Sequence, residues 1–235
     1  MQKRRLSVIP SRRERIAGLC FLPFYLILLS LLLELLFSLL QLPSDAVLLN
    51  ACYFAICAIC VLLIFRSFLR ENAKRFSSQA RAILRALPGY LALYFACSYV
   101  LNLLVLTLQP DFSNQNNQAL AGMMAERFPV MLLLSVLAAP LIEETLFRGL
   151  IFASLQPVSR PLAYLVTALC FSLIHVVGYL PVLSWTSALL SLAQYLPATL
   201  FFCHFYERSD NILAPMLFHG AVNLTSCLVT QLLGG

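Results

Sequence analysis

Pro140-Leu141-Ile142-Glu143-Glu144-Thr145-Leu146-Phe147-Arg148-Gly149 sets two carboxylates and a guanidinium inside a hydrophobic run that extends from about 128 to 155. An ionisable side chain at bilayer depth costs about 2.5–3.5 kcal/mol on insertion scales. Polar groups kept at that cost point to side chains that serve one another and a reacting molecule. The run itself is long enough to cross a bilayer as a helix, for which roughly 20 apolar residues suffice.

Outward from it the chain offers six further apolar stretches, near 17–42, 46–65, 86–108, 161–180, 185–205 and 211–233. The expected fold is therefore all-α: a polytopic transmembrane helical bundle of about seven spans. Composition agrees, since the 235 residues are 61% hydrophobic and only 11% charged, with a mean hydropathy of +0.87. No soluble domain of this size hides so much apolar surface, so the lipid bilayer is its solvent. The first stretch far exceeds the 7–15 apolar residues of a cleavable signal core and reads as a retained helix.

A net charge of +6 does not make this a nucleic-acid binder, because the basic residues sit in short connections between spans. Lys3, Arg4, Arg5, Arg12, Arg13 and Arg15 occupy the N-terminal tail. Arg66, Arg70, Lys74, Arg75, Arg81 and Arg85 occupy the second connection, with Arg160 and Arg208 in the fourth and sixth. Seven crossings put all of these on one side and leave Arg127 on the other. The positive-inside rule then predicts a cytoplasmic N-terminus and an outside C-terminus. The stretch Arg66–Arg85 is either a plain topology determinant or an interfacial helix on anionic headgroups. Asp111–Gln118 reads as an external loop. Residues 1–127 are expected to form an N-terminal three-helix membrane region with a basic tail and loop, and 128–235 a second membrane region that is the candidate catalytic one.

Two more polar pairs lie in later spans, Phe171-x-x-x-His175 and His219-x-x-x-Asn223. Their predicted depths are compatible with that of Glu143 and Glu144. Glu144 and Arg148 stand at i and i+4 and share a helix face as an ion pair. Glu143, rotated by about 100°, is free to meet a histidine or a water. His219 and Asn223 present two hydrogen-bonding groups in one direction, and Phe171 lies one turn from His175, where it braces the ring. Pro140 lacks the N–H owed to Val136 and loosens its helix, whereas Pro215 either acts similarly or sits harmlessly in a first turn. Glu34 reads as structural and His204 as interfacial. The eight cysteines, Cys57-x-x-Cys60 included, read as small hydrophobes without a disulfide framework.

Glu143-Glu144-Thr145-Leu146-Phe147-Arg148-Gly149, Phe171-Ser172-Leu173-Ile174-His175 and His219-Gly220-Ala221-Val222-Asn223 together resemble the three ordered motifs of the CPBP family. That family holds the type II CAAX prenyl endopeptidases, bacteriocin-processing enzymes and Abi-type membrane proteins. The resemblance covers about Phe128 to Leu233 and implies a glutamate-dependent intramembrane endopeptidase. It implies that Glu143 polarises a water with help from His175, that His219 and Asn223 stabilise the oxyanion, and that Glu144 and Arg148 hold the site together. No cofactor or metal is expected. The expected partner is a peptide or protein substrate in or at the membrane, and no oligomeric state follows from the sequence.

Three other readings stand beside this one. A zinc peptidase would draw its ligands from Glu143, His175 and His219, although no His-Glu-x-x-His helix is present. A non-catalytic membrane scaffold or bacteriocin-immunity protein would use the same pocket for binding alone. A proton-coupled transporter would call for repeated broken helices, and no internal repeat is evident.

Overall fold

A computed structural model describes residues 5–43 and 45–233; Lys3 and Arg4 of the basic tail lie outside this range. The described residues form no strand, and their helices run as α1 Arg12–Leu39, α2 Ala46–Ile64, α3 Arg66–Leu108, α4 Gln115–Leu155, α5 Arg160–Ile174, α6 Trp185–Ser209 and α7 Leu213–Leu233. Six are long and apolar enough to cross a membrane, and α5 is shorter. The chain is an integral, multi-pass membrane protein built as an all-α bundle.

Three boundaries differ from the sequence expectation. The helix expected over 86–108 begins at Arg66 and runs for 43 residues, about 65 Å at 1.5 Å per residue. Residues 66–85 are dominated by good helix formers with no glycine or proline before Pro88, so nothing stops propagation. The helix expected from 128 begins at Gln115, where the Asn114 side chain caps Asn117 N–H, and it bends at Arg127 (φ −144°, ψ 69°) two residues before Pro129. The expected loop over Asp111–Gln118 therefore closes at Asn114. The helix expected over 161–180 stops at Ile174, where His175 and Val176 turn back to Ser172 and Leu173 through i−3 bonds. Gly178 and Pro181 then deny it a continuation.

α4 is the axis of the bundle. Ile142, Leu146, Phe147, Leu150 and Phe152 are buried along it, and one apolar core joins them to Phe21, Tyr25, Cys57 and Val61 of α1 and α2 and to Phe171, Phe202, Phe205 and Phe218. The outer faces are apolar too: Leu162, Leu165, Leu169 and Leu173 form an exposed stripe on α5, as do Leu31, Leu35 and Leu39 on α1. In water such patches would be unstable; in a bilayer they are the lipid contact. Small residues Ala163, Thr167 and Ala168 occupy the buried face of α5 and let it approach α4 closely, as small side chains do between membrane helices. All eight cysteines are free thiols, with Cys57 and Cys203 in the core.

Polar contacts gather the basic segments at one end. Ser11 and Glu14 form a capping box at the start of α1, and Glu14 Oε1 also accepts Phe68 N–H at 2.9 Å, so one carboxylate caps two helices. Arg75 bonds Asp210 at 2.7 Å, and Ser7 N–H donates to the same carboxylate. Burial works to raise the Asp210 pKa, but the bonds from Arg75 and Ser7 outweigh it and hold the group below its usual range. Asn72 accepts Ile212 N–H, and Asn211 accepts Leu213 N–H; these cap α7, so Pro215 sits in its first turn without kinking it. Arg160 chelates Glu207. At the opposite end Arg127 pairs with Asp45.

Candidate active site

The helix that carries Glu143 and Glu144 is not a regular α-helix. A π turn covers Leu134–Ala138, an α turn covers Ala139–Glu143, and a second π segment covers Glu144–Phe152. π segments are rare and cluster at functional sites. Pro140 accounts for the first. Its register ends with Ala139 N–H donating to Leu134 O; the next donor would be the nitrogen of Pro140, which has no hydrogen. Ser135 O is instead taken by Asn223 Nδ2 at 2.7 Å. The neighbouring carbonyl, Val136 O, lies so close to Gly220 that a Cβ there would stand 2.8 Å away. Proline on α4 thus exposes carbonyls that Asn223 and Gly220 of α7 answer, which seats His219 one residue before the contact.

Gly220→Ala should therefore force α7 away from α4. Overpacking of this kind costs about 1–3 kcal/mol, and it should appear as a lowered unfolding temperature in detergent together with loss of activity. An alanine protein as stable and active as wild type would show that the close approach is dispensable.

Glu144 and Arg148 are fully buried and bonded at 3.0 Å. His219 Nδ1 donates to the same Glu144 oxygen at 2.8 Å. The guanidinium lies 4.2 Å from the Phe171 ring centroid and 5.1 Å from that of Phe202, while Phe202 stacks on His219 at 4.8 Å. Glu143 looks elsewhere. Its Oε2 is buried without a hydrogen-bond partner among the described residues and stands 3.9 Å from His175 Nε2. His175 Nδ1 is bonded to Phe171 O at 2.7 Å. A carbonyl only accepts, so Nδ1 carries the proton and Nε2 faces Glu143 as a lone pair.

The sequence-derived residues thus meet in two adjacent groups, with Glu143 and His175 in one and Glu144, Arg148 and His219 in the other. Phe171 lies against both, with its ring 4.8 Å from that of His175. Asn223 donates one N–H of its amide to Ser135 O. Among the described residues no three His, Cys, Asp or Glu side chains are placed to hold a metal ion, because His219 turns to Glu144 instead of joining Glu143 and His175. His204 bonds Tyr90. Glu34 opens onto a crevice of about 370 Å³ with Ser30, Asn50 and Tyr53.

Two neighbours carried no sequence signal. Phe202 and Tyr195, both on α6, contact the imidazoles, but aromatic residues in an apolar helix look like ordinary core. Gly220, adjoining His219 in its motif, is a small residue whose position marks a close helix contact.

Residues 125–225 match the sequence model of the family described as "Type II CAAX prenyl endopeptidase Rce1-like". The Bacillus subtilis (strain 168) protein named "Putative membrane peptidase YdiL" is 25% identical over 182 residues, which cover 76% of this chain and 69% of that protein. The Lactococcus lactis subsp. lactis (strain IL1403) "UPF0177 protein YxdF" is 27% identical over 140 residues, or 59% of this chain and 72% of its own length. No solved structure matches the chain. The matched segment, less than half of the chain, contains both groups of polar residues, and over it the chain is similar to the Rce1-like, type II CAAX prenyl endopeptidase family.

Proposed function

We propose that this protein is a metal-free intramembrane endopeptidase in which Glu143 and His175 activate water against a peptide bond of a membrane-associated substrate. The observation that carries the proposal is the unpartnered Glu143 Oε2 facing His175 Nε2 at 3.9 Å. That gap is too long for a direct bond, and it matches two acceptors that share one water at about 2.8 Å from each. Such a water gives one proton to Glu143 as its oxygen adds to the scissile carbonyl carbon. The negative charge that develops on the carbonyl oxygen needs donors. His219 Nε2 and the second N–H of Asn223 supply them. Because His219 Nδ1 already bonds Glu144, donation from Nε2 requires a proton on each ring nitrogen. Glu143 then returns its proton to the departing amine as the C–N bond breaks.

Support for hydrolysis also comes from the family and from the peptidase name of its Bacillus subtilis relative. The basic end, where Ser7, Arg75, Arg160 and Asp210 gather, is the cytoplasmic one on the positive-inside rule, with the C-terminus outside.

Peptidomes of cells carrying wild type or Glu143→Gln protein test the reading. Peptides that accumulate uncut in the variant identify the substrate, and purified wild type should cleave them in the presence of chelator. Identical peptidomes would remove the peptidase assignment; cleavage abolished by chelator and restored by zinc would replace the mechanism with a metal one.

A further inference from the structure

Like Phe202, Tyr195 reaches the site from outside all three motifs. Tyr195 stands where α6 breaks between its two helical segments. Its ring stacks on that of His175, with centroids 4.4 Å apart and planes at 25°. The Phe171 ring lies 4.8 Å from the same imidazole. His175 is thereby held by two ring contacts and by the Nδ1 bond to Phe171 O.

The far end of Tyr195 is tied as well. Its hydroxyl accepts from Asn116 Nδ2 at 3.2 Å and donates to Asn114 Oδ1 at 3.4 Å. Asn114 Nδ2 donates to Gln194 Oε1 at 2.8 Å, and Gln194 Nε2 donates to Asn102 Oδ1 at 2.8 Å. These carboxamides belong to the start of α4, to α6 and to α3. Asn102, Asn114 and Gln194 also line an open cavity of about 450 Å³. His175 needs such an anchor. It terminates a helix and is followed by turns, so its own element does not fix the ring.

We propose that Tyr195 is a positioning residue that sets the His175 ring for the shared water, with Asn114 and Asn116 fixing Tyr195 in turn. The proposal rests on the peptidase reading above and gives a role to the asparagine-rich segment at the start of α4. In this arrangement Tyr195 acts through His175, the ring it stacks on. A ring free to tilt leaves Nε2 misplaced relative to Glu143, and misplacement on the ångström scale lowers turnover by about 10- to 100-fold.

The test uses the full chain in detergent micelles with carbon-13-labelled histidine. Only His175, His204 and His219 contribute signals, and His175 is assigned from the signal lost in His175→Gln. Stacking on tyrosine displaces the His175 ring-proton resonances upfield. Tyr195→Leu should abolish that displacement and lower turnover of the peptides that accumulate in Glu143→Gln cells, with KM unchanged. Tyr195→Phe keeps the ring and should keep both the displacement and most of the turnover. Asn116→Ala removes no ring but frees the Tyr195 hydroxyl from one tether, so it should broaden or shift the His175 signals, which preserves the test if the leucine variant fails to fold. His175 resonances that stay put in Tyr195→Leu and Asn116→Ala, or that move without loss of turnover, would overturn the proposal. A fully active Glu143→Gln protein would instead remove the peptidase reading, a result scored separately from the ring signals.

Discussion

Glu143→Gln should lower peptide cleavage by about 10²–10⁴-fold, the range over which a positioned general base acts, while the unfolding temperature stays at its wild-type value. The two halves of this expectation have one cause. Glu143 Oε2 makes no hydrogen bond within the described residues, so no fold-stabilising contact is lost when it becomes an amide nitrogen. The isosteric amide fills the same space but takes no proton from water. Glu144→Gln, one residue along, should behave in the opposite way. Glu144 Oε1 receives both Arg148 and His219, so losing its charge removes the counter-ion of a buried guanidinium. Stability then falls first, and activity falls with it. Steady-state cleavage of an identified peptide, paired with thermal unfolding in the same detergent, separates the two glutamates. Cleavage by Glu143→Gln within a few-fold of wild type would sink the general-base role. A marked drop in its unfolding temperature would show that Glu143 has a structural load the geometry does not reveal.

The fold class was legible because hydrophobic runs of bilayer length carry a strong signal, and each of the seven helices overlaps one of the expected apolar runs. The chain failed to reveal where polar segments join the spans. Residues 66–85 and 115–127 are helical because their local propensity is good and α6, α7 and Asn114 give them caps and partners, none of which hydropathy reports. Spacing showed that Glu144 and Arg148 share a face, and the ion pair follows from it. It did not show that His219 would choose Glu144 over Glu143, since that depends on how α7 is seated on α4. That seating is set by Pro140, Ser135, Gly220 and Asn223 acting across two helices. Tyr195 and Phe202 were invisible for a related reason: an aromatic residue beside an imidazole has the same sequence appearance as one beside a leucine.

Arg148→Ala should be among the most destabilising single changes in the molecule. Arg148 has no exposed surface and neither does Glu144. Removing one member of such a pair leaves a buried charge uncompensated and costs about 3–5 kcal/mol. The loss exceeds the ion pair, because the guanidinium also lies on Phe171 and Phe202, contacts worth up to about 2 kcal/mol when desolvated. Lysine is no remedy, since a compact ammonium on a flexible stem does not reproduce a planar group packed between two rings. Arg148→Lys should therefore also unfold at lower temperature than wild type. Arg148→Met combined with Glu144→Leu removes both charges and should recover much of the lost stability, as apolar replacements of buried ion pairs do. Recovery stays incomplete because His219 Nδ1 loses its acceptor, and an orphaned buried donor costs about 1–3 kcal/mol. The double variant should still be inactive, with a folded bundle around a site whose His219 is no longer held. Thermal unfolding of wild type, Arg148→Met, Glu144→Leu and the double variant in one detergent gives the coupling energy directly. Additive losses would mean that the two side chains are not energetically linked, and the division of this site into a kinetic pair, Glu143 and His175, and a structural triad built on Glu144 would then be wrong.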